Sequence, residues 1–305
     1  MQTLEQLREK IGSADALHSV VKTMKAVAAV NIRQYEESVA SLDRYHETVE
    51  RAWHITLRRA TVDGDLRLRL RGLLADDEHP DDTLVAMALG SDQGMCGQFD
   101  RIMSEFVVDH LERSGRSPDR VGLILAGERL RGHLETTRYA EWGGLTLPHS
   151  ASGLTDVVEQ ALTTIDRLRH ERGVGSFVLF HHYPAGGTSY ESLRVPLLPL
   201  DLARLEELRL RRWDGPSLPM TPSPTPVMVR SLTRETLFVN LYRGFAASLA
   251  AENASRLAAM QAAENSIEER LDTLWQTFYR QRQSTITQEL LEVVSGFEQV
   301  GATEG

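Results

Sequence analysis

The sequence predicts an α/β protein in which a strand-and-helix domain is inserted between two long helices that pair antiparallel. Three observations carry this expectation. All eleven prolines lie between Pro80 and Pro226, so both ends of the 305-residue chain are free of them. Each proline-free end carries an apolar residue at every third or fourth position, the repeat of one helix face. The middle alternates short apolar runs with amphipathic segments, which reads as βαβ units and a parallel sheet.

The first helix is expected over residues 1–60. Leu4, Leu7, Ile11, Ala14, Leu17, Val21, Met24, Ala28, Ile32, Tyr35, Val39 and Leu42 make one stripe. Gly12 costs about 1 kcal/mol in it without ending it. The stripe weakens after Trp53 and Leu57, and TVDGDLRLRL at 61–70 reads as a break with a short alternating segment. Residues 61–226 form the inserted domain. TLVAMALGS, VGLILAG and SFVLFHHY are the strand candidates, and RVPLLPLDL is a further extended segment. Residues 97–115 and 153–173 are the intervening helices, and RLEELRLRRW is a short charged helix or hairpin element.

Five prolines within 215–226 return the chain to a second long helix over 227–305. Leu237, Leu241, Phe245 and Leu249 lead into Met260, Ile267, Leu271, Leu274 and Phe278, then Ile286, Leu290, Val293, Phe297 and Val300. Helical from about Thr233, this segment is on the order of 100 Å long at ~1.5 Å per residue. A compact domain does not need such a helix, and a periodic run well beyond ~25 residues points to a coiled coil.

Composition narrows the function. The chain is 41% apolar and 25% charged, ordinary for a globular protein. A net charge of -9 argues against a nucleic-acid partner. The N-terminus MQTLEQLREK lacks the apolar core of a signal peptide, and a single cysteine excludes an internal disulfide or a Cys-rich metal site. A reducing, cytoplasmic setting is expected.

The stretch SDQGMCGQFD, residues 91–100, joins a strand to a helix and invites three readings. A phosphate-binding loop requires a lysine followed by Ser or Thr, or a third glycine; only Gly94 and Gly97 are present, and Asp92 and Asp100 repel phosphate. A nucleophilic Cys96 requires a base, and no histidine is tied to it by spacing. A tight bend in which Cys96 packs ranks first. His181 and His182 lack a third ligand at metal spacing and are expected at an exposed strand end, so no metal site is expected. Near the C-terminus, Gln283 and Thr287 are one turn apart, and Arg282 and Glu289 share a side. Periodicity alone leaves open whether these are more than a solvated helix end.

Taken together, these segments resemble the gamma subunit family of F-type ATP synthases. LYRGFAASLAAENASRLAAMQAAENSIEE resembles its C-terminal signature, and RQSTITQELLEVVSG resembles its terminal Arg-Gln-x-x-Ile-Thr-Gln-Glu segment almost without gaps. VVKTMKAVAAVNIR and SDQGMCGQFD resemble its N-terminal and first-turn motifs. Residues 43–80 and 185–226 match weakly, as in a divergent, alternative ATPase of this class.

The resemblance implies a long antiparallel coiled coil with an inserted Rossmann-like α/β domain. It implies a non-catalytic rotor shaft, without cofactor, metal or direct nucleotide binding. Its partners would be alpha and beta subunits, an epsilon subunit and a membrane c-ring, on the cytoplasmic face of the cell membrane. It places Arg256, Gln283, Thr287 and Glu289 at contacts with alpha and beta subunits, with Met24 near them on the partner helix. It makes Gly94, Cys96 and Gly97 a fold turn. The rival readings are a Rossmann-type enzyme dimerising through its helices and an unrelated coiled-coil scaffold.

Overall fold

The computed structural model describes residues 3–60, 83–213, 215, 217–221 and 223–301, with the side chains of 60 and 295–301 left aside. The segment 61–70 and the side chains of Phe297 and Val300 therefore lie outside the described residues. The chain forms two compact units, one of residues 28–257 and one of residues 1–27 with 258–305.

Helix α1 runs Leu4–Ala60 and α6 runs Thr225–Gly301. Helix α6 begins eight residues before the apolar repeat predicts. Pro226 sits in its first turn, where a missing N–H forfeits no helical bond and the fixed φ suits the helix. Val227 and Met228 both donate to the Pro224 carbonyl, closing that turn.

Between these helices lie β1 Leu84–Leu89, α2 Phe99–Arg113, β2 Val121–Ala126, α3 Glu128–Leu134 and β3 Ala140–Leu145. They are followed by α4 Leu154–Arg172, β4 Ser176–Gly186, β5 Ser189–Leu198 and α5 Leu202–Leu210. The sheet order is β3-β2-β1-β4-β5. The first four strands are parallel, and β5 returns antiparallel to β4.

Both faces of the sheet are covered, which explains why β1 and β2 are continuous apolar runs. Val85, Met87 and Leu89 point to one face, packed with α4 and with Trp53, Leu241 and Phe245. Leu84, Ala86 and Ala88 point to the other, packed with Met103, Val107 and Leu130. Strand β3 and helix α3 were not foreseen. AEWGGL has little apolar signal because it is the sheet's edge, and seven residues are too few to show a helical period.

In the 28–257 unit, α1 and α6 run antiparallel. Trp53 Nε1 donates to Thr236 Oγ1 at 2.8 Å, and Arg243 donates to Asp43 at 2.5 Å.

In the other unit Leu7 and Ile11 pack on Leu274 and Phe278, and Arg8 lies 5.4 Å from the Phe278 ring centre. Along α1 the seam differs from the predicted stripe at one place. Leu17 is 58% exposed, and His18 faces α6 instead. Among the described residues no helix is long and apolar enough to cross a membrane.

Candidate functional site

The turn after β1 is built by close packing and one buried carboxylate. A side chain at Gly90 would put Cβ 2.3 Å from Leu130 Cβ and 2.6 Å from Asp100 Oδ1, so only glycine fits. Asp100 accepts from the Ser91 backbone N–H at 2.7 Å and from Ser91 Oγ at 2.6 Å. Burial still holds its carboxyl above the usual range. Met95 and Gly97 take the left-handed conformation, φ 65° and 63°, which turns the chain into α2. Gly94 lies against the Arg129 guanidinium, which approaches to 3.3 Å of where a Cβ would stand.

Cys96 is buried between Ser91 Oγ at 3.4 Å and Asp100 Oδ2 at 3.7 Å. Burial pushes its thiol up to about 11, so it is the protonated form that packs here. The histidine pair departs from the exposed strand end expected of it. His181 and His182 are both buried. The His182 Nε2 lies 3.0 Å from the Phe99 carbonyl, and its ring packs on Phe99 and Tyr190 at 4.2 and 4.6 Å. The first turn of α2 covers the strand end, and burial lowers His182 to about 4.

Helix α6 grips this turn through backbone acceptors. Ser255 Oγ donates to the Cys96 carbonyl at 2.7 Å, and Arg256 Nη2 donates to the Gln93 carbonyl at 3.2 Å. Arg256 is itself buried; it pairs with Glu252 one turn earlier and donates to Asn253 Oδ1 at 3.3 Å. Burial pushes the Glu252 carboxyl up to about 7 against the pull of Arg256. Tyr35 of α1 is raised to about 12 by its own burial and by Glu252. Ser255, Glu252 and Gln93 were missed at the sequence level, although the i, i+4 spacing of Glu252 and Arg256 was legible.

The remaining predicted residues lie in the unit formed by the chain ends. Gln283, Thr287 and Glu289 are exposed. Gln283 and Thr287 share a helix face with Arg280, Ser284 and Leu291, whereas Glu289, 200° further round at ~100° per residue, projects from the opposite side. Thr287 Oγ1 donates to the Gln283 carbonyl at 2.9 Å.

Met24 is not near them. Its neighbour Lys25 bonds Gln261 and Glu264, so Met24 stands about 20 residues, roughly 30 Å, from Gln283 along α6. The helices are antiparallel, and the pairing of Leu7 with Leu274 and Phe278 already reaches the start of α1. Gln283 and the residues beyond it consequently overhang α1. On that overhang Ile286, Leu290, Leu291, Val293 and Val294 are exposed by 47–61%.

The fold and these motifs have relatives. Residues 3–300 match the family model described as ATP synthase. The chain is 27% identical to an ATP synthase gamma chain of a Nitratiruptor species, covering 98% of this chain and 99% of the relative. It is 23% identical to the gamma chain of Bdellovibrio bacteriovorus over the same shares. Among solved structures, it resembles a chain of the Euglena gracilis mitochondrial ATP synthase, OSCP/F1/c-ring, in rotational state 3. The TM-score is 0.61 at 16% identity, over 99% of this chain and 96% of that one. A chain of the rotor of the same enzyme in rotational state 1 gives 0.58 at 15% identity, over 93% and 98%. With the family matched from end to end, the chain belongs to the ATP synthase family, and within it to the gamma chains.

Proposed function

We propose that this gamma chain is the turning shaft of its complex and carries no catalytic site of its own. The observation that supports this is the C-terminal overhang of α6. It presents exposed apolar side chains beside the polar Gln283 and Thr287 on one helix that has outrun its partner. An apolar sleeve around Val293 and Val294 lets such an end turn without directional bonds to pin it. The polar side chains below it form and break bonds with whatever surrounds them.

A single off-centre shaft gives three chemically identical sites three different neighbours. Each site then has its own nucleotide affinity, and rotation exchanges them. This is coupling by differential contact between states.

On this reading alpha and beta subunits surround the overhang. An epsilon subunit and a membrane c-ring bind at the other end, on the cytoplasmic face of the cell membrane. The functional division is helix 1–60, inserted domain 61–226 and helix 227–305. Met24, Arg256, Gln283, Thr287 and Glu289 meet alpha or beta. Arg256 has an internal duty as well, because its guanidinium ties α6 to the turn.

The test replaces Gln283, Thr287 and Glu289 together by alanine. These side chains are exposed, so helix pairing is expected to survive, at under ~0.5 kcal/mol each. Each lost bond to a moving partner is worth about 0.5–1.5 kcal/mol, more where charged. The expected outcome is an assembled complex with lowered ATP turnover and lowered ion pumping, read on one preparation. Unchanged turnover and pumping in intact complexes would refute a torque role. Loss of assembly would show that the residues are structural.

A further inference from the structure

Where the predicted stripe expected Leu17, the α1–α6 seam instead receives His18, between two carboxylates. Glu264 and Glu268 lie one turn apart on α6, both facing α1. His18 Nε2 stands 3.7 Å from Glu264 Oε1 and 3.4 Å from Glu268 Oε1. An N–H···O bond is normally 2.7–3.2 Å, so these separations are long for direct hydrogen bonds. Nε2 is shielded from solvent and makes no hydrogen bond among the described residues.

The same separations suit a shared ion. A tetrahedral zinc with ligand bonds of about 2.0–2.2 Å sets neighbouring donors roughly 3.4 Å apart. The three donor atoms all lie within 4.8 Å of one another.

We propose that His18, Glu264 and Glu268 form a zinc site that clasps α1 to α6 in the unit of the chain ends. This departs from the expectation that the chain binds no metal. An imidazole with two carboxylates is a donor set that zinc takes readily, whereas magnesium and calcium prefer six or more oxygens. Two carboxylates neutralise the ion.

Glu264 is held ready by its other oxygen, which accepts from Lys25 Nζ. Lys25 in turn donates to Gln261 at 2.7 Å. Lys25 and Lys22 are the cations beside this carboxylate. Their charge weakens the ion's binding. Glu268 is 59% exposed, so the fourth position opens to water.

The experiment titrates the full-length, metal-stripped chain with zinc chloride by calorimetry near about pH 7.5, and follows cobalt(II) substitution by visible absorption. The expected result is one zinc per chain and the intense bands of four-coordinate cobalt. Binding should weaken by at least about tenfold in His18→Gln and in Glu268→Gln, and should persist in His149→Gln and in excess magnesium. Glu268 is surface-exposed, so its variant keeps the test sound if His18→Gln disturbs the seam. Absence of zinc binding, or binding indifferent to both variants, would overturn the proposal. So would a His18-dependent gain in melting temperature on acidification without zinc uptake, which would make the cluster an ion pair.

Discussion

Replacing Glu252 by glutamine should flatten the pH dependence of the chain's stability. Glu252 is buried beside Arg256, and desolvation lifts its carboxyl from 4.5 to about 7. The sign follows from which state holds the proton more tightly. A carboxyl raised on folding is protonated more readily in the folded chain. Its contribution to stability is therefore complete below about 4.5 and is lost as pH rises through about 7. Each tenfold change in proton affinity is worth about 1.4 kcal/mol, so the whole loss is about 3 kcal/mol.

Glutamine keeps an acceptor within reach of Arg256 but does not titrate. Urea unfolding of both chains between about pH 5 and pH 9 isolates this one group, because every other titrating residue is common to both. At ~3 kcal/mol per molar urea, the difference between the two midpoints should change by about 1 M across that range. The absolute stability of the variant does not decide the matter, because removing one partner of a buried pair has its own cost. Parallel midpoint curves for the two chains would refute the reasoning and place the Glu252 proton elsewhere.

Other outcomes follow from the turn and the tip. Cys96→Ser should leave ATP turnover of the complex within about twofold, since a small buried thiol mostly packs; loss of turnover in an assembled complex would contradict it. The same thiol, raised to about 11, should resist alkylation in the folded chain and react on unfolding, as mass spectrometry of quenched samples would show. Gly90→Ala should cost more than a typical surface change, about 1–3 kcal/mol or above, because its Cβ meets Leu130 and Asp100. A wild-type urea midpoint in that variant would show that the turn yields where close packing says it cannot.

Much of this architecture was legible in the chain because its signals are local. Proline is confined to the middle, and the ends keep a helical period over many turns, so α1 and α6 could be named. The buried runs LVAMAL and VGLILA betray a sheet covered on both faces. What stayed hidden depends on distant partners. Strand β3 has only Trp142 and Leu145 as large apolar residues in six positions, and it is a strand because β2 offers it an edge. His182 reads as an exposed strand end until Phe99, 83 residues away in sequence, closes over it. Leu17 and His18 are adjacent, and a three-four repeat accepts either; only the facing Glu264 and Glu268 decide for His18. Met24 was set beside Gln283 by resemblance, but the pairing register of Lys25 with Glu264 separates them.

The grip of α6 on the β1 turn has an asymmetry with a consequence for how this sequence drifts. Both acceptors, the carbonyls of Gln93 and Cys96, belong to the backbone and are present whatever side chain stands there. Both donors, the Ser255 hydroxyl and the Arg256 guanidinium, exist only while those residues do. Substitution at Gln93, whose side chain is exposed, leaves the joint intact, whereas substitution at Ser255 or Arg256 removes half of it. The information that makes this grip is stored in the helix, and the side chain at Gln93 is left free to vary.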